Sequence, residues 1–149
     1  MQALSGTYAL ILSTSRKGQI AIGRIGTLLL QPGFYVYVGS AFGPGGLKAR
    51  IRHHCRKAAR PRWHIDYLAS ELALKEIWYT CDPVRREHQW ATIISNTRGG
   101  SVPLAGFGSS DCRCNTHLSF FKSKPGSKNI RRIIHTHIEG HAIIHRQIL

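Results

Sequence analysis

The sequence predicts an α+β fold in which a small antiparallel β-sheet is flanked by helices, with a basic helix after a tyrosine-rich strand. The 149 residues are enough for one domain and too few for two independent cores. Short aromatic and β-branched runs, bounded by glycine, proline and serine, are typical of strands. After Gly46 the apolar spacing changes to three and four residues, which indicates a helix.

Four apolar runs near the start of the chain predict β-strands. Thr7–Leu12 is followed by a turn-like segment, and Ile20–Ile22 then resumes the β pattern, so we expect a hairpin here. Thr27–Leu30 is the third run. Pro32-Gly33 separates it from Phe34–Val38, which is aromatic and β-branched throughout.

A glycine-rich loop leads from this strand into a helix predicted from Leu47 to about Ala59. Its apolar stripe consists of Leu47, Ile51, Cys55 and Ala58, at spacings of four, four and three. We expect this stripe to pack against the sheet.

The second half predicts two further helices and two further strands. Ile65–Leu72 is a second helical segment, and Glu76–Thr80 has the composition of a strand. Pro83 fits the first turn of a helix that runs to about Ser95. Thr116–Phe121 is the last predicted strand.

The composition changes after Phe121, which predicts a domain boundary. Serine, lysine, proline and glycine dominate up to Asn129, and a His- and Ile-rich segment follows to the end. We therefore expect a folded domain over residues 1–121 and a basic, loosely attached tail over residues 122–149.

The charge of the chain indicates a polyanionic partner. There are 21 Lys and Arg residues against 7 Asp and Glu, a net charge of +14. Nucleic acid or an anionic membrane surface is the expected partner of so basic a chain. The apolar run Tyr8–Leu12 is too short for a membrane span or a signal-peptide core. Without an export signal, we expect the four cysteines to be in a reducing, cytoplasmic location.

The positive charge is densest in and after the predicted basic helix. Seven Lys and Arg residues and two histidines occur here without an acid: Lys48, Arg50, Arg52, His53, His54, Arg56, Lys57, Arg60 and Arg62. Arg50 and His54 are four residues apart and share one helix face, with Lys57 one turn further on. A solvated basic face is the simplest interpretation. A bound nucleic-acid backbone would relieve the repulsion, and the preceding glycine loop and helix N-terminus favour phosphate.

Two aromatic motifs occur in a defined order before this helix. Gly6-Thr7-Tyr8 precedes Tyr37-Val38-Gly39-Ser40, and Leu47, Arg50 and His54 follow at fixed spacing. This ordered set resembles the GIY-YIG nuclease superfamily.

Longer stretches resemble the DUF123-type branch of that superfamily. They are Pro32–Ala41 (PGFYVYVGSA), Trp63–Leu68 (WHIDYL) and Gly106–Leu118 (GFGSSDCRCNTHL). The resemblance extends from about Gly6 to Phe121.

The resemblance implies an endonuclease that hydrolyses phosphodiester bonds of DNA with one divalent metal ion, Mg²⁺ or Mn²⁺. Tyr8 and Tyr37 would help to activate water, Arg50 with His54 would complete the catalytic set, and the Arg50 charge would stabilise the transition state. A glutamate on the third helix would hold the metal. Glu87, in Glu87–Ala91 (EHQWA), matches it, and Glu71 is the alternative. Such charge stabilisation is what phosphodiester hydrolysis requires.

A non-catalytic nucleic-acid-binding module with the same fold is the competing hypothesis. Tyr8 and Tyr37 would then be ordinary core aromatics, and neither glutamate would face Arg50. His64 and Asp66 alternate in sequence and would share one side of a strand but diverge on a helix. Their expected role is to support the basic helix.

Cys112, Cys114 and His117 form a short cluster of soft metal ligands. A structural zinc site needs four ligands, and Asp111, Cys81 or Cys55 could complete this one. The alternative is that small cysteines pack beneath a glycine-rich turn. A zinc-stabilised interaction protein is therefore the third functional hypothesis.

Overall fold

The structure of the chain is a computed structural model that describes residues 1, 3–56, 60–109 and 112–149. Within these ranges the chain forms eight strands and four helices. In chain order they are β1 (Gly6–Thr14), β2 (Gly18–Ile22), β3 (Gly26–Leu30), β4 (Gly33–Ala41), α1 (Gly46–Cys55), α2 (His64–Ala69), β5 (Ala73–Thr80), α3 (Glu87–Ser95), β6 (Gly100–Ser101), β7 (Leu118–Phe121), α4 (Ser127–His137) and β8 (Ile144–Ile148).

Six of the strands form one antiparallel sheet in the order β6-β7-β4-β1-β5-β8, and β2 and β3 form a separate hairpin. The predicted α+β class, an antiparallel sheet flanked by helices, is confirmed. In the central strand β1, Tyr8, Leu10 and Leu12 face one core and Ala9 and Ile11 face the other. Burial on both faces explains why this strand is apolar without alternation.

The two faces of the sheet are covered by different elements. On one face α1, α2 and the β2–β3 hairpin enclose the first core, and on the other α3 and α4 enclose the second. The basic helix α1 packs on the sheet through Leu47 and Ile51, as predicted. Its inner face continues with the buried His54, whereas Cys55 is exposed, so the predicted stripe was wrong there; Ala58 lies outside the described residues.

Several element boundaries differ from the predicted ones. The helix expected at Pro83 begins at Glu87, because the Asp82 carboxylate accepts the Val84 N–H and the chain turns there instead. The second helix ends at Ala69 rather than Leu72, and α1 ends at Cys55, with residues 57–59 outside the described part.

The C-terminal segment is part of the domain, so the expected boundary at residue 121 and the loose tail were wrong. Ile130 and Ile134 of α4 are buried in the second core. The last strand, β8, pairs with β5 and forms this edge of the sheet, which makes β5 an inner strand. The buried Glu76 of β5 also lies 2.7 Å from Nη2 of Arg146 and pairs with Lys124. Within the described residues, no helix has the length and apolar character needed to span a membrane.

Candidate catalytic pocket

A cavity of about 200 Å³ opens at the end of the sheet where β1 begins and β4 ends. Tyr8, Tyr37, Arg50 and Glu87 all line it. These four side chains come from two strands and from helices on opposite faces of the sheet. The fold therefore brings together four catalytic candidates that are spread over 80 residues of the sequence.

Tyr8 and Tyr37 form the inner wall of the cavity. Tyr8 is paired with Gly39 on the neighbouring strand, and its phenol ring crosses that residue. A side chain at Gly39 would collide with the Tyr8 hydroxyl, so only glycine permits this ring position. Burial raises the pKa of both phenols well above the usual value, and the charge of Glu87 adds to the shift at Tyr37. Both hydroxyls are therefore protonated at neutral pH.

His54 lies directly behind Tyr8. Its Nε2 is 2.6 Å from the Tyr8 hydroxyl oxygen. Burial, together with the charge of His53, lowers the pKa of His54 to about 3. The imidazole is therefore neutral at neutral pH and makes its hydrogen bond to Tyr8 without a charge.

Arg50 is held at the cavity by an aromatic contact. Its guanidinium carbon lies 4.5 Å from the centroid of the Trp63 ring, which is the geometry of a cation–π interaction. The charge of Arg50 opposes the upward pKa shift of Tyr8, which places the two groups in each other's electrostatic field. The result is a fixed positive charge beside two phenols.

Glu87 supplies the carboxylate of the cavity. It is the first residue of α3 and is half-buried, and its Oε1 lies 3.1 Å from Nδ1 of His117. Burial alone would raise the pKa of Glu87, but contacts with His117 and Ser40 outweigh burial and lower it. Glu87 is therefore ionised. Glu71, the alternative, instead forms an exposed ion pair with Arg16 at 3.1 Å and lines a different cavity.

His64 and Asp66 diverge, as expected for a helix. Asp66 accepts the backbone N–H groups of Arg62 and Trp63, at 2.8 and 2.9 Å, and its Oδ1 lies 3.0 Å from Nε2 of His53. Asp66 thus joins the start of α2 to the basic helix. His64 instead accepts the backbone N–H of Gly108 at 2.8 Å, which fixes the loop on the other side of the cavity.

The predicted nucleic-acid-binding cations are exposed on α1 and in the segment that follows it. We call them the basic face, which in the described part of the chain consists of Lys48, Arg52, Arg56, Arg60 and Arg62. Arg62 lies next to the cavity, with its guanidinium carbon 5.5 Å from the centroid of the Trp63 ring. None of the five forms an ion pair with a described acidic residue. Lys57, also predicted to bind nucleic acid, lies outside the described residues.

A second group of side chains borders the cavity behind Glu87. The predicted zinc ligands Cys112, Cys114 and His117 lie together, and His88 of α3 joins them. Sequence reasoning missed His88, because its only signal was its position next to Glu87. Cys55 and Cys81 do not belong to this described cluster, and Asp111 lies outside the described residues.

Comparison with known proteins places the chain in a family. The sequence from residue 7 to residue 139 matches the model of a family described as Domain of unknown function DUF123. The chain belongs to the DUF123 family. The match extends through α4, so the DUF123 domain includes most of the segment that was expected to be a tail. No curated protein and no solved structure matches the DUF123 chain.

Proposed function

We propose that this DUF123 protein is a GIY-YIG-type endonuclease that hydrolyses phosphodiester bonds of DNA with the help of Mg²⁺ or Mn²⁺. The observation that carries the proposal is that the ionised carboxylate of Glu87 shares one cavity with Arg50 and Tyr8. A binding module has no need of a carboxylate in a pocket that must accept a phosphate.

The donor chemistry of the cavity fits a hard divalent ion. Glu87 offers carboxylate oxygen, and Ser40, Tyr8 and Tyr37 also line this cavity, as do His88, Cys112 and His117. Mg²⁺ commonly binds through one or two carboxylates and keeps several waters, which substrate phosphate can replace. When bound, the ion would act as a Lewis acid toward the phosphoryl oxygens. Glu87 is the residue that would hold it.

The remaining side chains have roles that follow from their positions. Arg50 neutralises charge that develops on the phosphoryl group, and Trp63 limits its movement. His54 in the tautomer with an unprotonated Nε2 accepts a hydrogen bond from the Tyr8 hydroxyl. The Tyr8 oxygen then keeps its lone pairs for a hydrogen bond from the attacking water. Tyr8 thus orients the water, and His54 orients Tyr8.

The basic face provides the DNA-binding surface. Lysine and arginine contacts to phosphates position the duplex and carry no base information, so we expect binding with little sequence preference. A reducing, cytoplasmic location suits the four unpaired cysteines.

The proposal is tested by incubating the purified protein with branched, nicked and linear DNA, with Mg²⁺ and with Mg²⁺ plus EDTA. We expect Mg²⁺-dependent cleavage of at least one substrate. Glu87→Gln should eliminate cleavage while DNA binding is kept, and Arg50→Ala should lower the rate by about 10²–10³. The matched control is Glu71→Gln, which removes a carboxylate outside the cavity. Cleavage by Glu87→Gln at the parent rate would refute the assignment.

A non-catalytic nucleic-acid-binding module is the second candidate. The contact between Glu87 and His117 favours it, because a neighbouring imidazole already compensates the carboxylate without a metal ion. Tight DNA binding without cleavage of any substrate, at any Mg²⁺ or Mn²⁺ concentration, would decide for this candidate.

A further inference from the structure

We propose that His88, Cys112, Cys114 and His117 bind one Zn²⁺ ion in a structural tetrahedral site. The proposal does not depend on DNA cleavage. The four potential ligand atoms all lie within 4.8 Å of one another. Because His88 belongs to α3 and the other three belong to the segment before β7, a shared ion would join these two parts of the domain.

The distances within the cluster are close to those that zinc imposes. Nδ1 of His88 lies 3.1 Å from Sγ of Cys114, and Nε2 of His117 lies 3.3 Å from Sγ of Cys112. Zinc–sulfur bonds of about 2.3 Å and zinc–nitrogen bonds of about 2.0 Å at tetrahedral angles separate N and S by about 3.5 Å. These two separations are within a few tenths of an ångström of that value. The other separations in the cluster are at most 4.8 Å, so side-chain shifts of no more than about 1 Å would close the site.

The chemistry of the four ligands favours Zn²⁺ over the Mg²⁺ that we propose for the catalytic cavity. Two thiolates and two imidazoles are soft and borderline ligands, which suit Zn²⁺ and do not suit Mg²⁺. Both cysteines are free, so their sulfur atoms are available as ligands. His88 is exposed and both cysteines are partly exposed, so an ion can reach the site from solvent.

His117 has the surroundings of a zinc-bound histidine. Its Nε2 faces Cys112, whereas its Nδ1 lies 3.1 Å from Oε1 of Glu87. Histidines that bind metal through one nitrogen almost always donate the other N–H to a carboxylate, a backbone carbonyl or water, which fixes the ring orientation. The backbone of His117 is fixed as well, by hydrogen bonds with Phe107 at 2.7 Å and Val38 at 2.9 Å. The ring is thus held with one nitrogen free for the ion.

Zinc analysis of the full-length protein tests the proposal without DNA or added Mg²⁺. We expect about one zinc per chain, lost in Cys112→Ser and in Cys114→Ser. Cys55→Ser is the matched control, since Cys55 is exposed and outside the cluster, and it should keep the parent zinc content. A parent protein that takes up no zinc when titrated, or full zinc retention by a Cys112→Ser/Cys114→Ser double variant, would overturn the site.

Cobalt replacement decides the question on the parent protein if the cysteine variants do not fold. Co²⁺ bound by two thiolates in a tetrahedral site gives strong visible absorption and sulfur charge-transfer bands. We expect both, whereas the weak spectrum of an octahedral oxygen site would contradict the proposal. Because neither measurement involves cleavage, an inactive protein with one zinc would refute the nuclease alone.

Glu87 is assigned a positioning role toward this ion through His117. Glu87→Gln should keep the zinc stoichiometry and weaken zinc affinity by about 10–100-fold, the usual effect of losing a partner of a metal-bound histidine. Competition with a chromogenic chelator measures this change. Unaltered affinity in Glu87→Gln would show that the carboxylate does not orient His117.

Discussion

The basic face predicts a steep salt dependence of DNA binding. Its five described cations are exposed and lack carboxylate partners among the described residues, so all five are available to phosphates. If each displaces one counterion equivalent, log K should fall with log salt at a slope of about −4.5 for duplex DNA. Raising salt fourfold should then weaken binding by about 500-fold.

Fluorescence anisotropy with a labelled blunt duplex, without added divalent metal, measures this slope. Arg52→Ala should reduce its magnitude by about 0.9, because one phosphate contact is lost. Lys128→Ala is the matched control, since Lys128 is an exposed cation on α4, which covers the opposite face of the sheet. A parent slope near zero, or equal effects of the two substitutions, would refute the basic face as the binding surface.

The remaining predictions concern the C-terminal segment. Ile134→Ala should lower the free energy of unfolding by about 2–5 kcal/mol in denaturant titration, because Ile134 is only 1% exposed. The control is Ile143→Ala, at a position that is 71% exposed, which should change the free energy of unfolding by less than about 0.5 kcal/mol. Equal effects would show that α4 does not contribute to the core. The hydrogen bond from Arg146 lowers the pKa of Glu76 from an ordinary value of 4.5 to about 2, because this contact, together with that of Lys124, outweighs the opposing effect of burial. The Glu76 carboxylate therefore stabilises the fold above about pH 4.5 and loses this contribution as the pH falls toward 2. The stability difference between parent and Glu76→Gln, roughly 1–3 kcal/mol at neutral pH, should shrink over that range, and a difference independent of pH would contradict it.

Among the strands that sequence reasoning located, β1 and β4 are buried on both faces. In β1 and β4 the apolar runs are continuous, so their positions could be read directly from the sequence. β8 escaped detection because it is an edge strand in which only Ile144 is buried, and its other residues resemble a solvated tail. The buried stripe of α4 is similarly narrow, because only Ile130 and Ile134 are buried and most of the other residues of this helix are polar. Both elements are fixed by contacts with β5 and α3, which are distant in the sequence.

The residues of the candidate site also fall into two groups, those that the sequence identifies and those that only the fold identifies. Tyr8, Tyr37 and Arg50 could be singled out because each lies in a short ordered motif, and Glu87 because its helix has a recognisable position after them. His88 could not, because a metal ligand 24 residues away from Cys112 is recognised only when the fold places the two side chains together. The choice between Glu71 and Glu87 likewise needed the structure, since both are helix-adjacent acids in the sequence.

Glu87 contacts the proposed zinc site through His117 and also lines the catalytic cavity, so its two carboxylate oxygens must serve different sites. A zinc ion on Nε2 of His117 leaves Nδ1 as the nitrogen that carries the proton, so the ring can donate only toward Glu87. This contact occupies Oε1 of the carboxylate and leaves Oε2 for a divalent ion in the catalytic cavity. Without zinc, the imidazole can carry its proton on either nitrogen, although the ring keeps Nδ1 toward Glu87. Bound zinc would keep the proton on Nδ1, and the ring would then donate to the carboxylate that lies in the same cavity as Arg50.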